Sequence, residues 1–246
     1  MTQIFGLALF LIAALLLITF TLIKRKTPVA FRDIPALIRL RKSAGMAVEE
    51  GTRLHVSLGR GNLLGQFGGS GLAGLALLRQ VSEQASISDR PPLSSTGDAT
   101  LAILSQDTLN SAYKASGAEE LYQPSKGRLT GLTPFSYAAG TMPLVRTEQI
   151  STNVLIGDFG PEAALIVDAA ERENALTLGA ASDPTAQAVL FATASDPLVG
   201  EELFAASAYT GREASHRASL QVQDALRWIL ILSLLAAAGL KLAGIL

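Results

Sequence analysis

Glycine is the residue type whose spacing in this sequence has a phosphate-binding rationale. Gly59-Arg60-Gly61 follows directly on the β-rich run Arg53 to Leu58, and Gly69-Ser70-Gly71-Leu72-Ala73-Gly74 then fits G-x-G-x-x-G at the start of a helical pattern. Glycines let a backbone approach a pyrophosphate, and a helix N-terminus supplies N–H groups without partners. Asp98, which lies 24 residues past Gly74, adds an acid of the kind that meets a ribose. Gly59, Gly61, Gly69, Gly71, Gly74 and Asp98 are therefore the candidates for holding a nucleotide or dinucleotide. The competing reading is structural. A Rossmann fingerprint begins at the strand end, whereas the matching triplet here starts ten positions after Gly59, and Asp98 is well placed to cap a helix. No G-x-x-x-x-G-K-[ST] occurs, which argues against an ATP-hydrolysing motor.

Other chemistry has little material. The chain has no cysteine and two histidines, His55 and His216, so thiolate chemistry and disulfides are excluded and a histidine-built metal centre is not expected. No G-x-S-x-G elbow is present, and His55, in an alternating strand pattern, reads as a half-buried structural histidine. Asp158, Asp168, Glu171 and the pair Glu201-Glu202 are accounted for by solvation and by helix dipoles. No catalytic residue, metal ligand or obligatory cofactor is assigned.

The segments that must position the glycines alternate short β-rich runs with helical patterns, which predicts an α/β domain with a Rossmann-like layered sheet. Strands are expected at Arg53 to Leu58, Pro92 to Thr96, Phe135 to Ala139, Thr152 to Ile156, Ala175 to Leu178 and Ala188 to Ala194. Helices are expected at Leu72 to Ala85, from an Asp98 cap to Ser116 with Gly117 just beyond, from Gly160-Pro161-Glu162 to about Arg172, and from Asp196-Pro197 to about Ala208. Residues 118 to 133 read as loop. Ile34, Leu37 and Ile38 against Arg39, Arg41 and Lys42 suggest a short helix lying in a headgroup plane.

Composition places this domain beside lipid. Apolar residues make up 49% and charged residues 17%, with a mean hydropathy of +0.35. Residues 4–23 carry no charge over 20 positions, enough for a transmembrane helix, and residues 226–246 form a second span with Arg227 and Lys241 near its ends. Residues 24–42 are a basic juxtamembrane segment with seven bases and one acid. The central domain, 43–211, carries nine bases and 18 acids, and residues 212–225 continue as a stalk helix into the second span. The basic flank puts the domain on the cytosolic side of an inner (cytoplasmic) membrane, with both termini outside. An acidic body is a poor partner for nucleic acid.

Stretches such as SGLAGLALLRQVSEQAS, GDATLAILSQDTLNSAYKASGAEELY, GRLTGLTPFSYAAGTMPLVR, STNVLIGDFGPEAALI and AERENALTLGAA resemble a family of uncharacterised bacterial membrane proteins known as a domain of unknown function. The resemblance covers nearly the whole chain and implies two spans around one cytosolic domain. It brings no catalytic or binding residue. The expected function is a non-enzymatic membrane protein that self-assembles, as a homo-oligomer, or anchors a partner protein complex at the cytoplasmic face of the lipid bilayer. The alternative is a nucleotide- or anion-responsive sensor or enzyme using the loop from Gly59 to Gly74.

Overall fold

The computed structural model describes residues 14–16, 18–19, 32–66, 68–86, 88, 90–210 and 214–242. They divide into two units, Asp33–Gly211 and the flanking segments Met1–Arg32 with Arg212–Leu246. The first is an α/β domain built on a single six-stranded sheet in the order β3-β2-β1-β4-β5-β6, with every pairing parallel. In chain order its elements are α1 (Pro35–Glu50), β1 (Arg53–Gly59), α2 (Gly68–Ala85), β2 (Leu93–Thr96), α3 (Ala99–Ala115), β3 (Gly127–Leu129), α4 (Pro134–Thr147), β4 (Ile150–Asp158), α5 (Ala163–Arg172), β5 (Leu176–Ala181), α6 (Pro184–Thr193), β6 (Asp196–Leu198) and α7 (Glu202–Thr210).

A parallel sheet covered on both faces buries its strands completely, and β1 and β2 are buried at every position. Leu54, Val56 and Leu58 of β1 point to one face, where they pack with α1, α2 and α7 through Leu37, Leu40, Leu77, Leu78 and Leu203. The other face carries α4, α5 and α6, with Tyr137, Leu155, Phe159, Ile166 and Leu190 in its core. Each such leucine or isoleucine contributes about 1.5–3 kcal/mol by leaving water.

Helix starts follow local chemistry. Asp98 Oδ1 accepts from Leu101 N at 2.9 Å to open α3, and Gly117 beyond its end is left-handed at φ 68°. Asp183 Oδ1 accepts from Thr185 N and Ala186 N, with Pro184 at the first helical position of α6.

Several sequence expectations are corrected. Phe135 to Ala139 is not a strand but the first half of α4. Thr133 and Ser136 form a capping box and Pro134 takes the first turn, start signals that outweigh the aromatic content of the segment. Ala188 to Ala194 likewise belongs to α6 and its end, because the Asp183 cap commits the run to a helix. Asp196-Pro197 opens no helix and instead forms the edge strand β6, where proline's missing N–H faces away from the ladder. Residues 118 to 133 contain two 3₁₀ turns and the edge strand β3. The segment expected to lie in a headgroup plane is the first half of α1, whose Leu37 and Leu40 are buried in the domain core. His55 is fully rather than half buried.

In the second unit, α8 (Ala214–Leu242) runs without a break. Within it Ala218–Leu242, whose most apolar 18-residue stretch has a mean hydropathy of 1.8, is long and apolar enough to cross a membrane, the one such helix among the described residues. The expected first span, residues 4–23, lies outside the described residues except for five helical positions, as do residues 24–31 and 243–246.

Candidate functional site

In a doubly wound parallel sheet the ligand crevice opens at the carboxyl ends of the strands, where successive connections leave for opposite faces. Here that point lies between β1, which continues through α2 on one face, and β4, which is reached through α4 on the other. Gly59 and Gly61 close β1 at this point. Gly59 has φ 72°, and a Cβ on it would fall 2.1 Å from the Asp158 carbonyl oxygen. A Cβ on Gly61 would fall 2.5 Å from Asp158 Cβ. The ends of β1 and β4 therefore approach more closely than any side chain permits, and Arg60 N donates to Asp158 O at 2.8 Å.

Arg60 turns back across the crevice. Its side chain lies over Gly97, where a Cβ would meet Arg60 Cγ at 2.4 Å, and its Nε donates to Glu162 Oε1 at 2.8 Å. Glu162 is 4% exposed and also accepts from Gly160 N at 3.1 Å. Asp158, at the end of β4, has its carboxyl pushed above the usual range by burial, with Arg60 opposing and the charges of Asp183 and Glu162 adding to the rise. The Arg60 guanidinium is thus already paired with Glu162 and acts on Asp158, which Asp183 opposes in turn.

The remaining candidates lie around this point. Gly69 and Gly71 stand in the first turn of α2. A Cβ on Gly71 would touch Leu101 Cδ2 at 3.1 Å, and one on Gly69 would meet Phe204 at 3.5 Å. Gly74, one turn on, lets α2 rest on β4, since a Cβ there would be 2.8 Å from Ile156 O. Ser70 Oγ accepts from Ser182 Oγ at 3.2 Å, linking the start of α2 to the end of β5. Asp98 sits after β2 with its carboxylate engaged as the α3 cap. The structure gathers Gly59 and Gly61 at the switch point and Gly69 and Gly71 at a helix N-terminus, and places Asp98 at the end of the adjoining strand, next to Gly97, whose N–H donates to Gly59 O at 2.8 Å.

Sequence reasoning missed a buried polar row beneath α4. His55 is hydrogen-bonded through Nδ1 to Asn153 Oδ1 at 2.7 Å and through Nε2 to Ser95 Oγ at 2.9 Å. Ser95 Oγ lies 3.4 Å from Ser57 Oγ, and Ser57 is bonded to the Tyr137 hydroxyl, which accepts from Gly59 N at 3.3 Å. Burial pulls the His55 imidazole down to about 4, against an opposing hydrogen bond from Asn153, and pushes the Tyr137 phenol up. A neutral, doubly bonded imidazole and a protonated phenol make a brace that ties α4 to β1, β2 and β4. The signal available in the sequence was the polar residue at every second position of a strand whose other positions are apolar: Arg53, His55 and Ser57.

Among the described residues no group of three or more histidines or acids is arranged to hold a metal ion. The model of a family described as a domain of unknown function (DUF6754) matches residues 2–245, and the chain belongs to that family. No curated protein and no solved structure matches the chain.

Proposed function

We propose that this member of the family is a non-enzymatic, two-span protein of a cytoplasmic membrane whose α/β domain, held on the cytosolic side, assembles with further copies of itself. The observation that carries the proposal is where the domain exposes large apolar side chains. Leu64 at 96%, Phe135 at 73%, Ile103 at 67%, Leu132 at 66%, Leu72 at 57% and Val199 at 50% exposure all lie at the carboxyl end of the sheet. Each sits in a connection leaving a strand or in the first turns of the helix that follows. Phe191 at 66% and Leu121 at 53% are exposed at the amino end and Ile38 at 55% on α1, but the carboxyl end gathers six such side chains, and apolar surface gathered in this way marks an interface.

A second copy suits that end because the chain is complementary to itself in charge. Residues 24–32 carry four bases and no acid, and the domain Asp33–Gly211 carries 12 bases and 19 acids, so the basic segment of one copy attracts the acidic domain of the next. Membrane anchors add to the effect by confining copies to two dimensions at raised effective concentration. The apolar helix Ala218–Leu242 and the uncharged run 4–23 support the anchoring, and the basic flank supports a cytosolic domain with both termini outside.

The second reading, a nucleotide- or anion-responsive protein, is favoured by the strand order β3-β2-β1-β4-β5-β6, which dinucleotide-binding domains share. Asp158, Glu162 and Asp183 weigh against a phosphate at the crevice, and a ligand there has first to displace Arg60 from Glu162.

The chain has no cysteine, so single cysteines report contacts directly. In native membranes, Leu132→Cys and Phe135→Cys are expected to form disulfide-linked dimers on mild oxidation, and Phe191→Cys, at the opposite end of the sheet, is not. Monomeric bands for all three, or equal crosslinking at all three, would overturn the proposal. Crosslinking of Leu132→Cys to a different protein would replace self-assembly by docking of a partner complex.

A further inference from the structure

We propose that the amino end of the sheet, on the side of β1 and β3, is a binding site for a small tetrahedral oxyanion, a phosphate or phosphate monoester, held by Arg53, Lys126 and Arg128. The site lies at the opposite end of the strands from the Arg60–Glu162 crevice and is independent of the self-assembly proposed above.

Arg53 opens β1, and Arg128 lies in β3 on the same face of the sheet as His55 and Ser95. Both guanidinium groups reach Glu148, just beyond the end of α4: Arg53 donates from one NH group to Oε2 and Arg128 from one NH group to Oε1. The carboxylate therefore has an arginine on each oxygen. Burial pushes the Glu148 carboxyl up, but the Arg128 hydrogen bond and the charges of Arg53, Arg128 and Lys126 more than reverse it and hold it below the usual range. One negative charge is shared among three positive ones. Arg90, bonded to the side chain of neighbouring Gln149, is a fourth.

Two buried groups show what is lacking. The Arg53 side chain is 10% exposed, yet its Nε–H is buried and has no acceptor among the described residues. The Tyr113 hydroxyl is also buried without a partner; burial pushes its phenol up to about 12, against the charge of Arg53. A buried guanidinium N–H without an acceptor is costly, and Glu148 has no oxygen left that is not already paired with an arginine. Lys126 adds a half-buried ammonium with neither hydrogen bond nor ion pair among the described residues. Burial and the charges of Arg53 and Arg128 hold it below its usual value, which marks positive charge short of a counter-ion. A tetrahedral oxyanion supplies both missing elements, several acceptors in a fixed geometry and one or two negative charges, and forked guanidinium groups recognise it well.

The test uses the full-length protein in a detergent without phosphate. Thermal unfolding is followed in inorganic phosphate against chloride at matched ionic strength, for the natural sequence, for Lys126→Ala, which leaves both arginine pairs to Glu148 intact, and for Lys42→Ala, on α1 at the other face of the sheet, as a control. The expected result is a saturable rise of the midpoint in phosphate that survives Lys42→Ala, while Lys126→Ala weakens apparent phosphate binding by about tenfold or more. Repeating the titration in nanodiscs of anionic phospholipid separates the sources of the anion. A rise abolished there assigns the site to a lipid headgroup, and a rise that persists assigns it to a free phosphate. No difference between phosphate and chloride, or an equal rise in Lys126→Ala, would overturn the proposal.

Discussion

Lowering the pH sets the His55 brace against the unfolded chain, and the outcome can be worked from the structure. The imidazole is 0% exposed between Asn153 and Ser95, and burial takes its pKa from 6.5 to about 4. Above pH 6.5 both the folded and the unfolded chain leave it neutral, so its contribution is complete. As pH falls from 6.5 towards 4, the unfolded chain takes up a proton that the folded chain refuses, and stability drains away. At about 1.36 kcal/mol per pH unit the loss comes to about 3 kcal/mol, a large part of the margin of an ordinary domain. Asp158, held above its ordinary value, binds protons in the folded state and partly offsets the loss. Glu148, held below its own, adds to the loss only at lower pH. Both terms cancel when the natural sequence is compared with His55→Gln, which keeps an amide able to bond Asn153 and Ser95 but has no proton to gain. Urea unfolding of the intact protein followed by far-ultraviolet circular dichroism is the assay. The variant is expected to be the less stable at neutral pH and to close the gap by about 3 kcal/mol on acidification. Parallel stability curves for the two proteins would refute the account of His55.

Two further perturbations follow from packing and charge. Gly140→Ala, on α4, places a Cβ 2.1 Å from the Thr130 carbonyl oxygen and is expected to lower stability by about 1–3 kcal/mol. Gly45→Ala, in the interior of α1 with nothing within 4 Å, is expected to raise it by about 0.5–1 kcal/mol; urea midpoints check both. Arg39, on α1, donates to Asp196 of β6, and their side-chain exposures are 58% and 1%. Arg39→Ala strands a buried carboxylate, whereas Asp196→Ala leaves an arginine that water can reach, so the first is expected to be the more destabilising in thermal melts. The reverse order would contradict this assignment of burial.

What the sequence discloses depends on how local each cause is. β1, β2, α2 and α3 are legible because caps and short β-rich or periodic apolar runs act within a few residues, and the Asp98 cap is where its type and position predict. β3 and β6 are three-residue edge strands, and nothing within so short a segment distinguishes an edge from a turn. The two Asp-Pro pairs show the same limit from the other side. Asp183-Pro184 opens a helix, but Asp196-Pro197 pairs with β5, because the buried Asp196 answers to Arg39, 157 residues away. The candidate site divides in the same manner. The tight turn at Gly59 to Gly61 is written locally, but its place at the switch point depends on strand order. The aromatic content of Phe135 to Ala139 suggests a strand, and only the helix that forms instead turns Tyr137 onto Ser57.

The native mass of the purified protein tests the central proposal most directly. Extracted gently and measured by mass photometry, the natural sequence is expected to appear as a dimer or larger assembly of 25.7 kDa chains, and the doubly substituted Leu132→Asp, Phe135→Asp protein as a folded monomer. A natural protein that is monomeric at every concentration, or an assembly untouched by both substitutions, would contradict assembly through the carboxyl end of the sheet.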